Sequence, residues 1–414
     1  MNKPRILVPA GSFECLYAAI QAGADAVYFG VEQLNMRSKS ILGFNTEHIA
    51  EIIQICKRNN VKSFITLNTI IYNHDIRLAH QIIKEAGKCG IDAVIAADYA
   101  VIQLCRKENV PVHISTQANV SNIESVVFHS QFADLIVLSR ELTLKQIADI
   151  TKEIERRDIT GPSGKRLEIE VFVHGSLCMA VSGKCYISLH TQNASANRGA
   201  CVQNCRRPYK VIDTENNLEL LVDNEYIMSA KDLCTIDILD QIIKAGVSVL
   251  KIEGRTKSAD YVYTTTKCYR EAIEAIHSGA FNQERADNWK KELNSVYNRG
   301  FWEGYYLGRK LGEWTHQPGN NATQKKIYIG RANKYYPIIQ VAEFTLDAGV
   351  FSPGDKFMIT GPKTGVLRGQ VDEFRVNGIE KTEARKGDLL SFKIADQKVF
   401  QGDKLYKVLS EENA

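Results

Sequence analysis

Over its first 255 residues the chain alternates short β-branched runs with apolar-periodic helical stretches, eight times over. The runs are RILVP (5–9), AVYFG (26–30), KSFITL (62–67), DAVIAA (92–97), PVHIST (111–116), DLIVLS (134–139), EIEVFVH (168–174) and VSVLKIE (247–253). Between them lie stretches such as FECLYAAIQAG (13–23) and TLKQIADITKEIERR (143–157). Strands joined through helices run parallel, and eight such units match an α/β fold, a closed (β/α)8 barrel of the TIM-barrel kind. An open, doubly wound sheet is the alternative. No GxGxxG follows the first run, which removes the dinucleotide-binding signature but leaves the topology open.

A barrel of this kind places its chemistry at the C-terminal ends of the strands. That rule selects Gly11 and Ser12, Asn68, Asp98, Ser115 with Gln117, Arg140 with Glu141, His174 with Gly175, and Glu253 with Arg255. The connection after the seventh strand is far longer than the usual two to six residues. It is expected to lie over the barrel mouth.

Beyond the barrel, two helical stretches occupy 256–300, and a polar segment follows. The pattern then changes to period two, with Gly354-Asp355, Gly387-Asp388 and Gly402-Asp403 each leading into a strand. The expected organisation is a barrel domain (1–310) with a cysteine-rich loop (176–234), a linker (311–326) and a small antiparallel β-barrel (327–414). The start MNKPRILVPAGS reads as a strand and turn rather than a secretory leader, and no apolar run is long enough to span a bilayer. A cytoplasmic protein without membrane partners is expected. A net charge of +4 is too small to imply nucleic-acid binding by itself.

Residues 176–205 hold four of the ten cysteines, Cys178, Cys185, Cys201 and Cys205, and Cys234 follows. Cys15, Cys56, Cys89, Cys105 and Cys268 sit on helical stretches among apolar neighbours, as small hydrophobes do. The loop group lies in polar, unpatterned sequence, and a reducing compartment disfavours a disulfide frame. Four thiolates hold either structural zinc or an iron–sulfur cluster. Only Cys201 and Cys205 have knuckle spacing, and wide, uneven spacing favours a 4Fe–4S cluster over zinc. Cys234 reads as the start of the helix KDLCTIDILDQIIKAG, where the helix dipole favours a thiolate. The expected ligands are therefore Cys178, Cys185, Cys201 and Cys234, with Cys205 as the alternate.

The stretch from Glu170 through Gly175, Ser176 and Cys178 to Gly183, Cys185 and Ser188 resembles throughout the signature of the collagenase-like peptidase family U32. So do LVPAGSFECLYAAIQAGADAVYFG, HISTQANVSN, NRGACVQNCRRPY, SAKDLC, KIEGR and NRGFWEGY, so the resemblance spans essentially the whole chain. It implies one of several activities. The family was first described as proteases, while other branches resemble oxygen-independent hydroxylation proteins that carry a 4Fe–4S cluster. A barrel with one small β-domain looks most like the branch that makes 5-hydroxyuridine at the tRNA wobble position, with prephenate as cosubstrate. Hydroxylation of a cytidine in 23S rRNA and collagenase-like peptidase activity are the alternatives.

Neither HExxH nor GxSxG occurs, and His174 near Ser176 and Cys178 is a weak hint of a nucleophile–base pair. For RNA, Arg206, Arg207, Tyr209 and Lys210 combine charge with an aromatic ring directly after the cysteines. A dicarboxylate would need guanidinium forks, for which Arg37, Arg140, Arg198 and Arg255 are the candidates. Arg140–Glu141 and Glu253–Arg255 can equally be ion pairs closing the mouth. Asn68, Ser115, Gln117 and Asn119 can bind a uracil edge or cap the helices that follow. No residue declares itself as the catalytic acid or base.

Overall fold

The computed structural model describes residues 3–31, 33–36, 43–210, 212–213, 215, 218–219, 228–308, 313–316, 319–395 and 397–410. Ten strands form the first sheet: β1 (Arg5–Pro9), β2 (Ala26–Phe29), β3 (Lys62–Leu67), β4 (Ala93–Ala96), β5 (Val112–Ile114), β6 (Leu135–Val137), β7 (Glu168–Gly175), β8 (Asp232–Cys234), β9 (Val249–Ile252) and β10 (Phe301–Trp302). Strands β1 to β7 pair in sequence order, all parallel. β9 then joins β7 on one side and β1 on the other, and closes an eight-stranded barrel.

The crossover helices are α1 (Phe13–Gln21), α2 (His48–Arg58), α3 (Ile76–Cys89), α4 (Tyr99–Lys107), α5 (Ile123–Ser130) and α6 (Leu144–Arg156). After β7 come α7 (Ile187–Gln192), α8 (Leu239–Lys244), α9 (Ala259–His277) and α10 (Gln283–Asn294). Each crossover turns an apolar stripe inward; on α6 it is Ile147, Ile150 and Ile154, started by a capping box of Thr143 and Gln146. Strand residues of one parity face these helices. The other parity fills the barrel, with Leu7, Tyr28, Phe64, Ile95, Leu135, Val137 and Val249 clustered inside.

Two departures shape the mouth. The β7–β9 register slips by one residue between Lys251 and Ile252, a bulge that turns the end of β7 out of the barrel. The freed end, His174–Gly175, pairs antiparallel with β8, and β10 adds to β8 in parallel. Cys234 therefore lies in a strand, and the helix expected to begin there starts at Leu239 after a 3-10 turn. Tertiary pairing with β7 has overridden a helical reading of KDLC.

The C-terminal part is an antiparallel sheet of β11 (Gln324–Tyr336), β12 (Val341–Leu346), β13 (Lys356–Gly361), β14 (Gly365–Gln370), β15 (Arg375–Val376), β16 (Ile379–Glu380), β17 (Leu389–Lys393) and β18 (Lys404–Ser410). They are ordered β14-β13-β18-β11-β12-β17-β15-β16. The three Gly-Asp turns lead into β13, β17 and β18 as expected. This sheet has its own core of Ile329, Phe344, Phe351, Phe357, Ile359 and Phe392. It docks on the barrel through α1 and α9. Gln21 donates to the Thr364 carbonyl and accepts from the Val366 amide at 3.0 Å. Arg368 donates to Thr264 at 2.9 Å, and Met358 and Val366 join the barrel's own hydrophobic core. Gly365 sits at φ +68° with Gln21 Oε1 only 2.3 Å from where a Cβ would stand, so a side chain there would break the contact.

Candidate functional site at the barrel mouth

A cavity of about 570 Å³ opens at the C-terminal ends of the strands. Its floor is the inside of the barrel. There Lys251 Nζ lies 2.7 Å from Glu170 Oε1, both almost fully buried, with the Tyr28 and Phe172 rings 4.7 and 5.4 Å from the ammonium. Among the described residues Glu170 Oε2 is buried without a hydrogen-bond partner, as is His113 Nδ1. Burial, reinforced by Lys251, pushes the His113 pKa down to about 3, so this ring is neutral. A buried lysine–glutamate pair between aromatic faces is costly to assemble, and losing either partner strands the other charge.

One turn higher, Arg255 donates through Nη1 to Asn35 Oδ1 at 3.0 Å and to Thr66 Oγ1 at 2.7 Å. Tyr28 Oη donates to the Ile252 carbonyl at 2.9 Å and lies 3.1 Å from Glu253 Oε2. Asn68 donates to Ser115 Oγ at 3.4 Å, and Ser115 caps Gln117. Arg140 holds Ser182 Oγ at 2.8 Å and lies over Phe172. No carboxylate among the described residues pairs with Arg140, so the Arg140–Glu141 ion pair does not form. Asn68, Ser115, Gln117, Arg140, Glu253 and Arg255 all line the cavity, as strand-end placement predicts.

The long connection covers the opposite wall. Cys178, Cys185, Cys201 and Cys205 all line the cavity. Burial raises the Cys205 pKa, Arg206 lowers it, and Cys178, Cys201 and Cys185 each raise it in turn. Cys234 is elsewhere. It is 4% exposed, does not line the cavity, sits 4.0 Å from Tyr269 Oη, and is pushed up to about 11 by burial. Cys205, the alternate, thus shares the cavity with three of the expected ligands and Cys234 does not; as placed, no three His, Cys, Asp or Glu side chains among the described residues form a group that could hold a metal ion. The helix dipole expected to favour a Cys234 thiolate is absent, because the residue is in β8.

Three other expectations fall differently. Arg198 is drawn away from the cavity. It forms an ion pair with Asp75, donates to the Ile70 carbonyl at 3.0 Å and stacks 4.0 Å from the Tyr72 ring centroid, pinning the long connection to the loop after β3. Arg37 lies outside the described residues. Arg206 points inward rather than to solvent, donating to the Leu177 carbonyl at 2.7 Å and to Ser229 Oγ at 3.0 Å. Arg207 and Lys210 are exposed, and Tyr209 donates to the Asn204 carbonyl at 2.7 Å.

Sequence reasoning passed over three cations. Lys251 reads as an ordinary strand lysine, yet it shares the inward parity of Val249. Lys257 and Arg299 lie beyond the strand ends. Arg299 donates to Ser176 Oγ at 3.2 Å and pairs with Asp232 at 3.4 Å, and Lys257 and Arg299 both line the cavity. His174 is buried against Tyr269 and Phe301, and desolvation pushes it down to about 3. No serine or cysteine among the described residues hydrogen-bonds to a histidine.

A second cavity of about 720 Å³ lies between the barrel and the C-terminal sheet. Lys325, Lys326, Lys356 and Arg368 line it, and it shares Ser258 and Tyr297 with the mouth. Among the described residues no helix is long and apolar enough to cross a membrane.

The profile of peptidase family U32 matches residues 11–316. A collagenase of Porphyromonas gingivalis is 49% identical over 98% of both chains. A tRNA hydroxylation protein of Bacillus subtilis is 31% identical over 98% of this chain and 95% of its own. A 23S rRNA 5-hydroxycytidine synthase of Escherichia coli is 32% identical over 92% of this chain but 55% of its own length.

Proposed function

Because the chain belongs to peptidase family U32, we propose that it is an RNA-modifying enzyme, an iron–sulfur-dependent and oxygen-independent tRNA hydroxylation protein. Its product is 5-hydroxyuridine at the wobble position, and prephenate is the cosubstrate. One observation carries the reading: four cysteines open on the same cavity as Arg140, Arg206, Lys251, Arg255, Lys257 and Arg299. A redox group and an anionic ligand would then lie side by side. Cys178, Cys185, Cys201 and Cys205 would hold a 4Fe–4S cluster: four thiolates are the donors it prefers, and the cysteines would draw together around it, since as placed no three of them form a metal-holding group. Such a cluster supplies one-electron chemistry that no side chain offers. Arg140 and Arg255 would bind carboxylates, with the amides of Asn68 and Gln117 and the hydroxyl of Ser115 orienting the substrate.

The second cavity supports RNA as the substrate. Its lysines offer a phosphate track that reaches the mouth at Tyr297, whose ring could stack a base. Replacing Lys325 and Lys356 together by glutamate is expected to weaken tRNA binding about tenfold or more and to flatten its salt dependence by about one log unit per lysine. Filter binding over a salt series measures both. Unchanged affinity and slope would remove the track.

A peptidase is the second reading, favoured by the higher identity of the collagenase relative. The site speaks against it, because His174 faces α9, where its ring contact is the Tyr269 hydroxyl, and among the described residues no serine or cysteine hydrogen-bonds to a histidine. Nucleoside mass spectrometry on tRNA and 23S rRNA separates the possibilities, using cells that lack this protein and every other family member. Loss of 5-hydroxyuridine-derived nucleosides from tRNA is expected. Intact tRNA with missing hydroxycytidine in 23S rRNA would move the protein to the rRNA reaction. Two intact RNAs would leave the peptidase.

A further inference from the structure

Lys257 follows β9 by five residues, and its side chain ends in the mouth cavity. Its Nζ lies 3.1 Å from the Tyr297 ring centroid, and Tyr261 flanks it at 5.9 Å. No carboxylate among the described residues forms an ion pair with it. Asp232, the strongest anionic influence, is paired with Arg299. Glu253 adds a weaker pull toward the charged form, while Arg299 and Arg206 push against it. A lysine placed for charge alone would face a carboxylate; this one faces an aromatic ring and an open cavity lined with guanidinium groups.

We propose that Lys257 is a covalent site for 2-oxo carboxylates: its amine condenses with the keto group of a ligand whose carboxylate is held by the arginines of the mouth. This deepens the reading above and rests on it only for the class of cosubstrate. The step is balanced without redox. The neutral amine adds to the carbonyl carbon, the carbinolamine loses water, and C=N replaces C=O. Burial, the dominant influence, pushes the Lys257 pKa down to about 7, so about half of the amine is neutral where an ordinary lysine is more than 99.9% charged. The Tyr297 face tolerates either state, stabilising the ammonium and packing against the neutral amine.

The test uses full-length protein purified anaerobically and incubated with pyruvate or phenylpyruvate and cyanoborohydride, with the adduct mapped by peptide mass spectrometry. Reductive labelling is expected at Lys257, more than about a hundredfold faster than at surface lysines at pH 7, levelling off above pH 7 while theirs keeps rising. Lys257→Arg retains the charge and the stem and should abolish the adduct. Labelling spread over surface lysines, or centred on Lys251, would overturn the proposal. So would wild-type levels of tRNA hydroxylation in cells carrying Lys257→Arg, with the tRNA reading left standing. A Lys257 adduct in a protein that leaves tRNA unmodified would do the reverse.

Discussion

Cys205→Ser protein, purified without oxygen, is expected to lose its iron, its acid-labile sulfide and its visible absorption almost completely, whereas Cys234→Ser keeps all three. The two thiols differ in what surrounds them. Cys205 faces the cavity with Cys178, Cys185 and Cys201, so removing it would leave three ligands for the proposed four-thiolate cluster. Cys234 is a small buried side chain between β7 and α9, raised well out of the thiolate range by burial. Near-complete loss of tRNA hydroxylation should accompany the first substitution and a small change the second. Circular dichroism on both variants separates cluster loss from unfolding. A Cys234→Ser protein without chromophore beside an intact Cys205→Ser protein would restore the spacing-based assignment.

The second large effect concerns the barrel floor. Glu170→Ala should cost about 3–5 kcal/mol, because it leaves the Lys251 ammonium buried between two rings with no counter-charge. Lys251→Met should cost a similar amount by stranding the carboxylate. The double variant Glu170→Leu, Lys251→Met should recover most of the loss, since the two charges then leave together. Urea unfolding of the four proteins measures the coupling. If the two single losses simply add, the pair does not act as a unit.

The barrel was legible because its signal is repeated. Eight runs of β-branched residues separated by stretches long enough for a crossover leave few topologies, and Lys62–Leu67 matches the expected strand residue for residue. Strand-end placement brought Asn68, Ser115, Gln117, Arg140, Glu253 and Arg255 together without knowledge of any contact. Where the chain leaves the repeat, local sequence loses its authority. KDLC has helical character, yet an extended β7 end offers it unpaired backbone groups, and pairing wins. Cysteine spacing reports nothing about where a long connection returns, so Cys234 and Cys205 could not be ranked from it. Arg198 looked like a mouth residue for the same reason; Asp75, distant in sequence, claims it. Lys251 was hidden by its type, since lysines in strands are usually solvated. Its parity, two residues from Val249, was the available clue.

The Gln21 contact has a consequence for how the molecule behaves as a body. A single amide on α1 grips both the carbonyl of Thr364 and the amide of Val366, at a glycine that admits no side chain. Around it, Met358 and Val366 are buried in the other unit's core. The C-terminal sheet is thus welded to the barrel instead of swinging on a tether, and the lysine-lined cavity between them, the proposed phosphate track, is held at a constant span from the mouth. If that proposal holds, such a chain behaves as a ruler: a nucleic acid lying along the track would present to the cysteines only a nucleotide at one fixed distance.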